Sequence, residues 1–568
     1  MRRILALLLA LACVIALMAG CAPADEGKQP DGSTDKSGDT AETNSGETNE
    51  TNEGTEETDD DYVVFPANYL FNSTQSGVTD TTYNGGQNGQ NLILETLFAK
   101  DTDTMEYVPR LAKELDISDD GLVYTVTLND ATFHDGSKVT ADDVVFSYNY
   151  AAKASSNSSF LSTVVGYDEV AAGTADSVSG IQALDEKTVQ FTLSTSDATF
   201  MRPLSHSHFS ILPQAAFEGM DWADIRTCDF WSHPIGSGPY YISETHYPDY
   251  IELSRYDGYY GEPAGVEKVI LRYYTDMESV NAAIAAGEVH WCRDTGYEDA
   301  INISNQNSDV EVILSDSLYC RYLTVNATGR AEDGQYHPGM TNARVRQALN
   351  MLIDKQAICN LYGESATPLS TMVNPNVADY NSDIPLFERN VEKAVEILEE
   401  ENFDFTMPVR LYTYYTDQVA VDVLDIIVQN FADGGVEAEY YIDGSNGAYI
   451  FSAGNFDLMY GAYSVPFASD LYDLYHDDRY VSEDMKPTLK ERYTDLQYQW
   501  KTTLDPVQQK AIVDQLQYNG MEDMLCIPLY TMSSVTVINS GHFQGFPAHS
   551  TDWMSMYDPH TERWQILP

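Results

Sequence analysis

The chain has 568 residues and carries 88 Asp and Glu against 31 Lys and Arg, a formal net charge of -57. That acidity disfavours a nucleic-acid partner, which needs basic patches. The length exceeds one typical core, so two or more lobes are expected.

The elements follow in chain order. Arg2 and Arg3 precede an apolar run from Ile4 to Met18 and then Ala19-Gly20-Cys21, which reads as a secretory signal over residues 1–20. The run is too short for a stable membrane span. A cysteine directly after Ala-Gly resembles a bacterial lipobox, so Cys21 is the expected lipidation site, holding the chain to the outer face of the cytoplasmic membrane. An ordinary cleaved signal with a chance cysteine is the alternative. Residues 21–61 are Ser, Thr, Gly, Asn, Glu and Asp with almost nothing apolar, a composition that predicts a disordered acidic linker.

The segment from Tyr83 to Asn91 reads as a Gly-rich loop, and Leu92 to Phe98 as a helical segment. Leu122–Leu128 and Lys187–Leu193 alternate as strands. Between them, Asp135-Gly136 marks a tight turn and Thr140 caps a helix with Asp142 and Asp143 in its first turn. Strands are expected at Tyr240–Ser243, Tyr250–Ser254, Leu318–Asn326, Val409–Tyr414, Glu437–Ile442 and Cys526–Met532. Helices are expected at Ser279–Ala286, Ala343–Leu361, Val391–Glu400, Val419–Asp433 and Asp505–Asn519. Strands alternating with helices argue for an α/β fold. Beyond residue 21 the cysteines are Cys228, Cys292, Cys320, Cys359 and Cys526, an odd, scattered set. It is no disulfide framework, although a Cys292–Cys320 bond stays open beside buried free thiols. No CxxC, HExxH or Cys/His cluster occurs, so no metal and no cofactor is expected.

Several motifs then stand in a recognisable order. They are Phe133-His-Asp-Gly136 with Thr140-Ala-Asp-Asp-Val-Val-Phe-Ser147, Ile211-Leu-Pro213, Pro234-Ile-Gly-Ser-Gly-Pro-Tyr240, Arg344-Val-Arg-Gln-Ala-Leu349 with Ile353-Asp354, and Asp505 to Ala511 leading to Ile527-Pro-Leu-Tyr530. Together they resemble the oligopeptide/dipeptide-binding family of extracytoplasmic solute-binding proteins that serve ABC importers. Each motif also has a plain structural reading. His134 belongs to a turn and is not catalytic, Gly236 and Gly238 supply positive φ angles, and the Arg344 helix is amphipathic with solvated arginines.

The resemblance implies a two-lobed periplasmic-binding-protein-like fold with an extra subdomain in the first lobe, closing on its ligand by hinge motion. The expected division is 62–95 with 195–315 and 530–568 as first lobe, 96–194 as extra subdomain and 316–529 as second lobe. It further implies a monomer that captures an oligopeptide between the lobes, by main-chain pairing, and hands it to ABC transporter permease subunits. One wall of the site would be Tyr83, Asn84 and Gly85. The other would be the stretch opened by Phe456-Asp457, with Tyr460 and Tyr463 in the cleft and Ala462 and Ser464 as pairing positions. The family's acidic anchor for a peptide ammonium falls at Pro466 and is missing; Asp470 is the candidate substitute. Chain-wide, 39 Tyr against 6 Trp suits wet, adaptable pockets. Three other readings stand beside this one. The same fold would bind an oligosaccharide, opine or other small polar solute, or serve as a surface sensor. An extracellular hydrolase is less favoured, because no Gly-x-Ser-x-Gly elbow with partners is found.

Overall fold

The computed structural model describes residues 62–67, 85–546 and 557–567, except 156–157, 294, 316, 329–336, 378, 444–455, 465–471, 474 and 476–479. The expected leader, lipidation at Cys21 and linker, and the candidates Tyr83, Asn84 and Asp470, thus lie outside the described residues.

Strand β1 (Tyr62–Ala67) is an apolar run with Val63, Val64 and Phe65 buried. The next element corrects the sequence reading. A helix spans Gly85–Ile93, where a loop was expected, and Phe98 opens strand β2 (Phe98–Asp101) instead of ending a helix. A short apolar run does not by its period tell helix from strand. Tertiary contacts decide it here, with Leu92, Ile93 and Leu94 buried beside Tyr240 and Trp564, and Phe98 paired with Pro109 on β3 (Tyr107–Pro109).

Strands β4 (Ala112–Ile117) and β5 (Val123–Leu128) precede the helix Ala141–Ala154, whose start is a capping box. Asp143 accepts from the Thr140 N–H (2.9 Å), and the Thr140 hydroxyl accepts from the Asp143 N–H (3.4 Å). Strands β6 (Ile181–Ala183) and β7 (Thr188–Thr192) complete an antiparallel sheet in the order β4-β5-β7-β6. Val144, Tyr148 and Ala151 of the helix share its core with Tyr124, Val126, Val189 and Phe191. Strands β8 (Tyr240–His246), β9 (Tyr250–Arg255) and β10 (Lys268–Tyr273) join β1 in a second sheet, order β1-β10-β9-β8, with β1 and β10 parallel. Gly287, at φ +80°, ends the helix Met277–Ala285 before β11 (Trp291–Arg293) and β12 (Val310–Ser315).

The chain then enters a separate six-stranded sheet through β13 (Tyr319–Val325). The single helix expected over 343–361 is two. Ala343–Leu352 stops at Ile353, which is extended, and Asp354 caps Lys355–Cys359 by accepting from the Ala357 N–H at 2.9 Å. The Asp354 N–H goes instead to Asn430 Oδ1 (2.7 Å), so continuation is blocked by a tertiary bond. Strands β14 (Ala366–Pro368), β15 (Val409–Thr413), β16 (Ala438–Ile442), β17 (Leu458–Ser464) and β18 (Cys526–Met532) give the order β14-β18-β13-β17-β15-β16. The helices Val391–Glu400, Gln418–Asp433 and Pro506–Asp523 accompany this sheet. Finally β19 (Ser534–Asn539) returns to lie between β11 and β12. Short strands β20 (Phe543–Gln544), β21 (Tyr557–Asp558) and β22 (Gln565–Ile566) follow, β21 beside β2 and β22 beside β20.

Two lobes result, crossed by the chain at β12–β13 and again at β18–β19. The crossings are tied together. The Ser317 hydroxyl donates to Met532 O, Asn374 Nδ2 donates to Ser317 O and to Thr531 Oγ1 (2.6 Å each), and Thr531 Oγ1 donates to Tyr319 O (2.7 Å). Cys292 on β11 and Cys320 on β13 sit in different sheets, and all five described cysteines are free, so the Cys292–Cys320 bond is not formed.

The recurring motifs act as joints of the fold. Neutral His134 spans two of them. Its Nε2–H donates to Gly238 O (3.0 Å), while Nδ1 accepts from the Gly236 N–H (3.2 Å). Burial lowers its pKa to about 4. Gly236 and Gly238 are not there for positive φ, as the sequence suggested; neither has one. They allow backbone contact: a Cβ on Gly236 would lie 1.9 Å from Ile93 O, and one on Gly238 would lie 2.4 Å from Leu92 O. Arg346 is not solvated either. It is buried, its Nε donating to Asp523 O and its Nη1 to Met340 O (2.8 Å each), while Arg344 does face solvent and pairs with Glu400 and Glu401.

Candidate functional site

Open α/β sheets bind ligands beyond the carboxyl ends of their parallel strands. In the six-stranded sheet β15 is parallel to β16 and to β17. The β15–β17 pairing covers Leu411 with Leu458 and Tyr412 with Met459, and β15 stops at Thr413, whose hydroxyl donates to Tyr460 O at 3.2 Å. Strand β17 continues to Ser464. Its other edge is taken by β13, with Arg321 opposite Ala462 and Tyr319 opposite Ser464. From Gly461 to Ser464, the edge facing away from β13 has no strand partner among the described residues.

The Phe456-Asp457 step sets this strand in place. Asp457 is buried and accepts from the backbone N–H groups of His337 (2.7 Å) and Arg410 (2.8 Å), so it fixes the entry of β17 against the start of β15. Burial raises its pKa against the lowering effect of those two donors. Phe456 is buried against Tyr412 and Tyr480.

The sheet face above this end is lined with tyrosines. Tyr460 is fully buried, its hydroxyl bonded to that of Tyr530, which in turn meets the Tyr362 hydroxyl at 2.7 Å. Burial pushes the Tyr460 phenol far above its ordinary range. The Arg321 guanidinium lies 4.3 Å from the ring centroid of Tyr415 and 5.7 Å from that of Tyr460. Tyr414 and Tyr415 join hydroxyls at 3.1 Å. Arg321 Nε and Nη1 are sealed from solvent and make no hydrogen bond. Burial works against the charge, while the surrounding phenols, Tyr460 foremost, hold it protonated.

The sequence-derived candidates are thus placed as follows. Tyr460, Ala462, Tyr463 and Ser464 share strand β17; Tyr460 is core, while Tyr463 packs with the cluster of Tyr322, Tyr472 and Tyr475 on the other face. Gly85 opens a helix whose last turn meets the 234–240 turn. Arg321, Tyr362, Tyr415 and Tyr530 were not singled out from sequence, although an arginine inside Tyr319-Cys-Arg-Tyr-Leu323 breaks the strand's apolar character and marks the place.

A cluster of Asp101, Asp103, Asp558, His560 and Glu562 has metal-ligand character. Its members are already partnered, with Arg110 paired to Asp558 (2.9 Å), Arg563 paired to Asp103 (2.6 Å) and His560 hydrogen-bonded to Asp101 (3.1 Å), which makes it a polar network linking β2 to the chain's C-terminal segment.

Residues 106–479 match the family model described as bacterial extracellular solute-binding proteins, family 5 Middle. A Brucella ovis protein named as an ABC transporter peptide-binding protein is 28% identical over 351 residues, 60% of this chain and 61% of the relative. The glutathione-binding protein of Salmonella typhimurium is 28% identical over 346 residues, 60% of this chain and 62% of that one. The chain therefore spans about three-fifths of the length of these curated relatives. The crystal structure of the ABC transporter substrate-binding protein CtaP from Listeria monocytogenes superposes with a TM-score of 0.73 at 23% identity, covering 89% of this chain and 99% of that one, a likeness of fold. The chain belongs to family 5 of the bacterial extracellular solute-binding proteins.

Proposed function

We propose that the protein captures oligopeptides between its lobes and delivers them to the permease of an ABC importer, held to the membrane by a lipid on Cys21. The observation that carries the peptide reading is that, among the described residues, no strand pairs with Gly461–Ser464 on the side away from β13. A strand edge offers N–H and C=O groups at the spacing of an extended peptide, whatever its sequence, so Ala462 and Ser464 serve as its pairing positions. Tyr463 and the Gly85 helix start are the further contacts in this reading, with Tyr83, Asn84 and Asp470 as sequence-level candidates. The match to a Brucella protein named for peptide binding supports it.

Native mass spectrometry of protein purified without added ligand tests it. Co-purified peptides of mixed sequence support capture of oligopeptides; a bound sugar or single small solute overturns it. The second reading, a small polar solute on the same fold, is favoured by Pro466 standing where the family places its acidic anchor. Turnover of a peptide or glycan panel would instead revive a hydrolase. The anchor has its own test: replacing Cys21 with Ser releases the protein from the membrane fraction, and retention there refutes lipidation.

A further inference from the structure

Arg321 carries a charge that no described side chain balances. The chain has 88 acidic residues, so an arginine without one is conspicuous. Elsewhere Arg110 meets Glu95 at 3.0 Å, and Arg492 meets Asp523 and Glu522 at 2.8 Å each. Among the described residues Arg321 has the rings of Tyr415 and Tyr460 beside it and no acid; the residue is half-buried, and two of its nitrogens are out of reach of water without a hydrogen bond. Removing a charge from water without a partner is costly, and a side chain kept in that state by its fold marks a functional site. Its position supports this. Arg321 faces Ala462 across β13–β17, beside Tyr415, where β15 has ended and β17 runs on with no described strand on that side.

We infer that Arg321 is the ligand-recognising residue for an anionic group, and that the group is a carboxylate. The guanidinium fork matches a carboxylate in two parallel N–H···O bonds, and ring faces on its flank keep it planar and aimed. The inference rests on the reading of the β17 edge as the ligand side. It reverses the sign of recognition: with no acid at Pro466 to hold an ammonium, the electrostatic handle is positive. In a peptide the carboxylate comes from the C-terminus or from an Asp or Glu side chain.

The experiment compares the full-length protein with Arg321→Gln and Arg321→Met. The probes are a pentapeptide with neutral side chains and a free C-terminus, its C-terminal amide, and the amide carrying one Glu. Binding is read by calorimetry. The native protein binds the free acid about ten- to hundredfold more tightly than the amide, and Arg321→Gln abolishes that gap. Recovery of affinity by the Glu-containing amide assigns the side chain as a second source of the carboxylate. Without ligand, Arg321→Met melts at a higher temperature than the native protein, because an unpaired charge has gone; a purely structural cation–π role requires it to melt lower. A gap that persists in Arg321→Gln, or no gap in the native protein, overturns the inference and leaves peptide capture standing. If no peptide binds, the peptide reading fails by itself. The solute found by mass spectrometry then decides: loss of its affinity in Arg321→Gln upholds the anion role, and unchanged affinity ends it.

Discussion

Lys355 gives the second lobe a stability that depends on pH in an unusual direction. It begins the helix Lys355–Cys359, is 4% exposed, and donates from Nζ to Leu369 O at 2.9 Å. Burial lowers its pKa from 10.5 to about 7, with the nearby Cys359 acting weakly the other way. Each unit corresponds to about 1.4 kcal/mol, so the full cost of burying the ammonium is on the order of 5 kcal/mol. The sign follows from proton counting. Below about pH 7 both states are charged and the cost is complete. From there to about pH 10 the unfolded chain holds a proton that the folded one has shed, so stability rises by about 1.4 kcal/mol per unit. The Cys359 thiol, pushed up by burial to about 12, stays neutral over this range and does not interfere. Lys355→Met keeps the volume and removes the charge. Urea unfolding of both proteins across the interval isolates the effect, since other titrations cancel in the difference. The variant is more stable near pH 7 by about 3–4 kcal/mol, after the lost bond to Leu369 is subtracted. That advantage disappears toward about pH 10. A difference that stays constant over the interval would refute the reasoning.

Three further outcomes follow from the packing. Asp457→Ala leaves two buried N–H groups without their acceptor and lowers stability by about 3–5 kcal/mol, read as a drop in the urea midpoint; a loss under about 1 kcal/mol contradicts the clamp. Gly236→Ala drives a methyl into the rigid Ile93 carbonyl, whereas Gly136→Ala, at φ +83° with nothing nearby, meets only backbone strain. The first therefore costs more than about 3 kcal/mol and the second about 1–2 kcal/mol, and thermal melts that rank them the other way are the contrary result. Under native conditions Cys228 is alkylated ahead of the buried Cys292, Cys320, Cys359 and Cys526, which react on unfolding; mass-mapped early labelling of Cys320 would disagree with its burial.

The elements legible in the sequence were those with local signals. Thr140 caps a helix where one was expected, with Asp143 in its first turn, and Asn390, Asp505 and Gly287 mark further helix ends through caps and a positive φ. Alternation located β5 and β7. The failures lie where a distant residue takes over a backbone group or a side chain. Asn430 claims the Asp354 N–H and splits one helix into two; Asp523 O, late in the chain, accepts Arg346 and draws it inward. The site shows the same division. The stretch after Phe456-Asp457 was singled out by its motif, but Arg321, Tyr415 and Tyr530 come together only through the pairing of strands distant in sequence, which no local pattern encodes.

The contrast bears on how family and ligand are related here. The motifs that carry the resemblance are joints: His134 locks Gly236 and Gly238 onto the end of the first helix, Arg346 fastens one helix to the end of another, and Asp457 seats β17. Each is satisfied by the protein itself, so each is used up in making the fold and has nothing left to offer a solute. Arg321 is the opposite case, a charged group with two buried nitrogens that no described residue bonds. Membership in family 5 therefore speaks to the sheets and their joints, and under the proposed function the chemistry of a solute has to be read from a group such as Arg321.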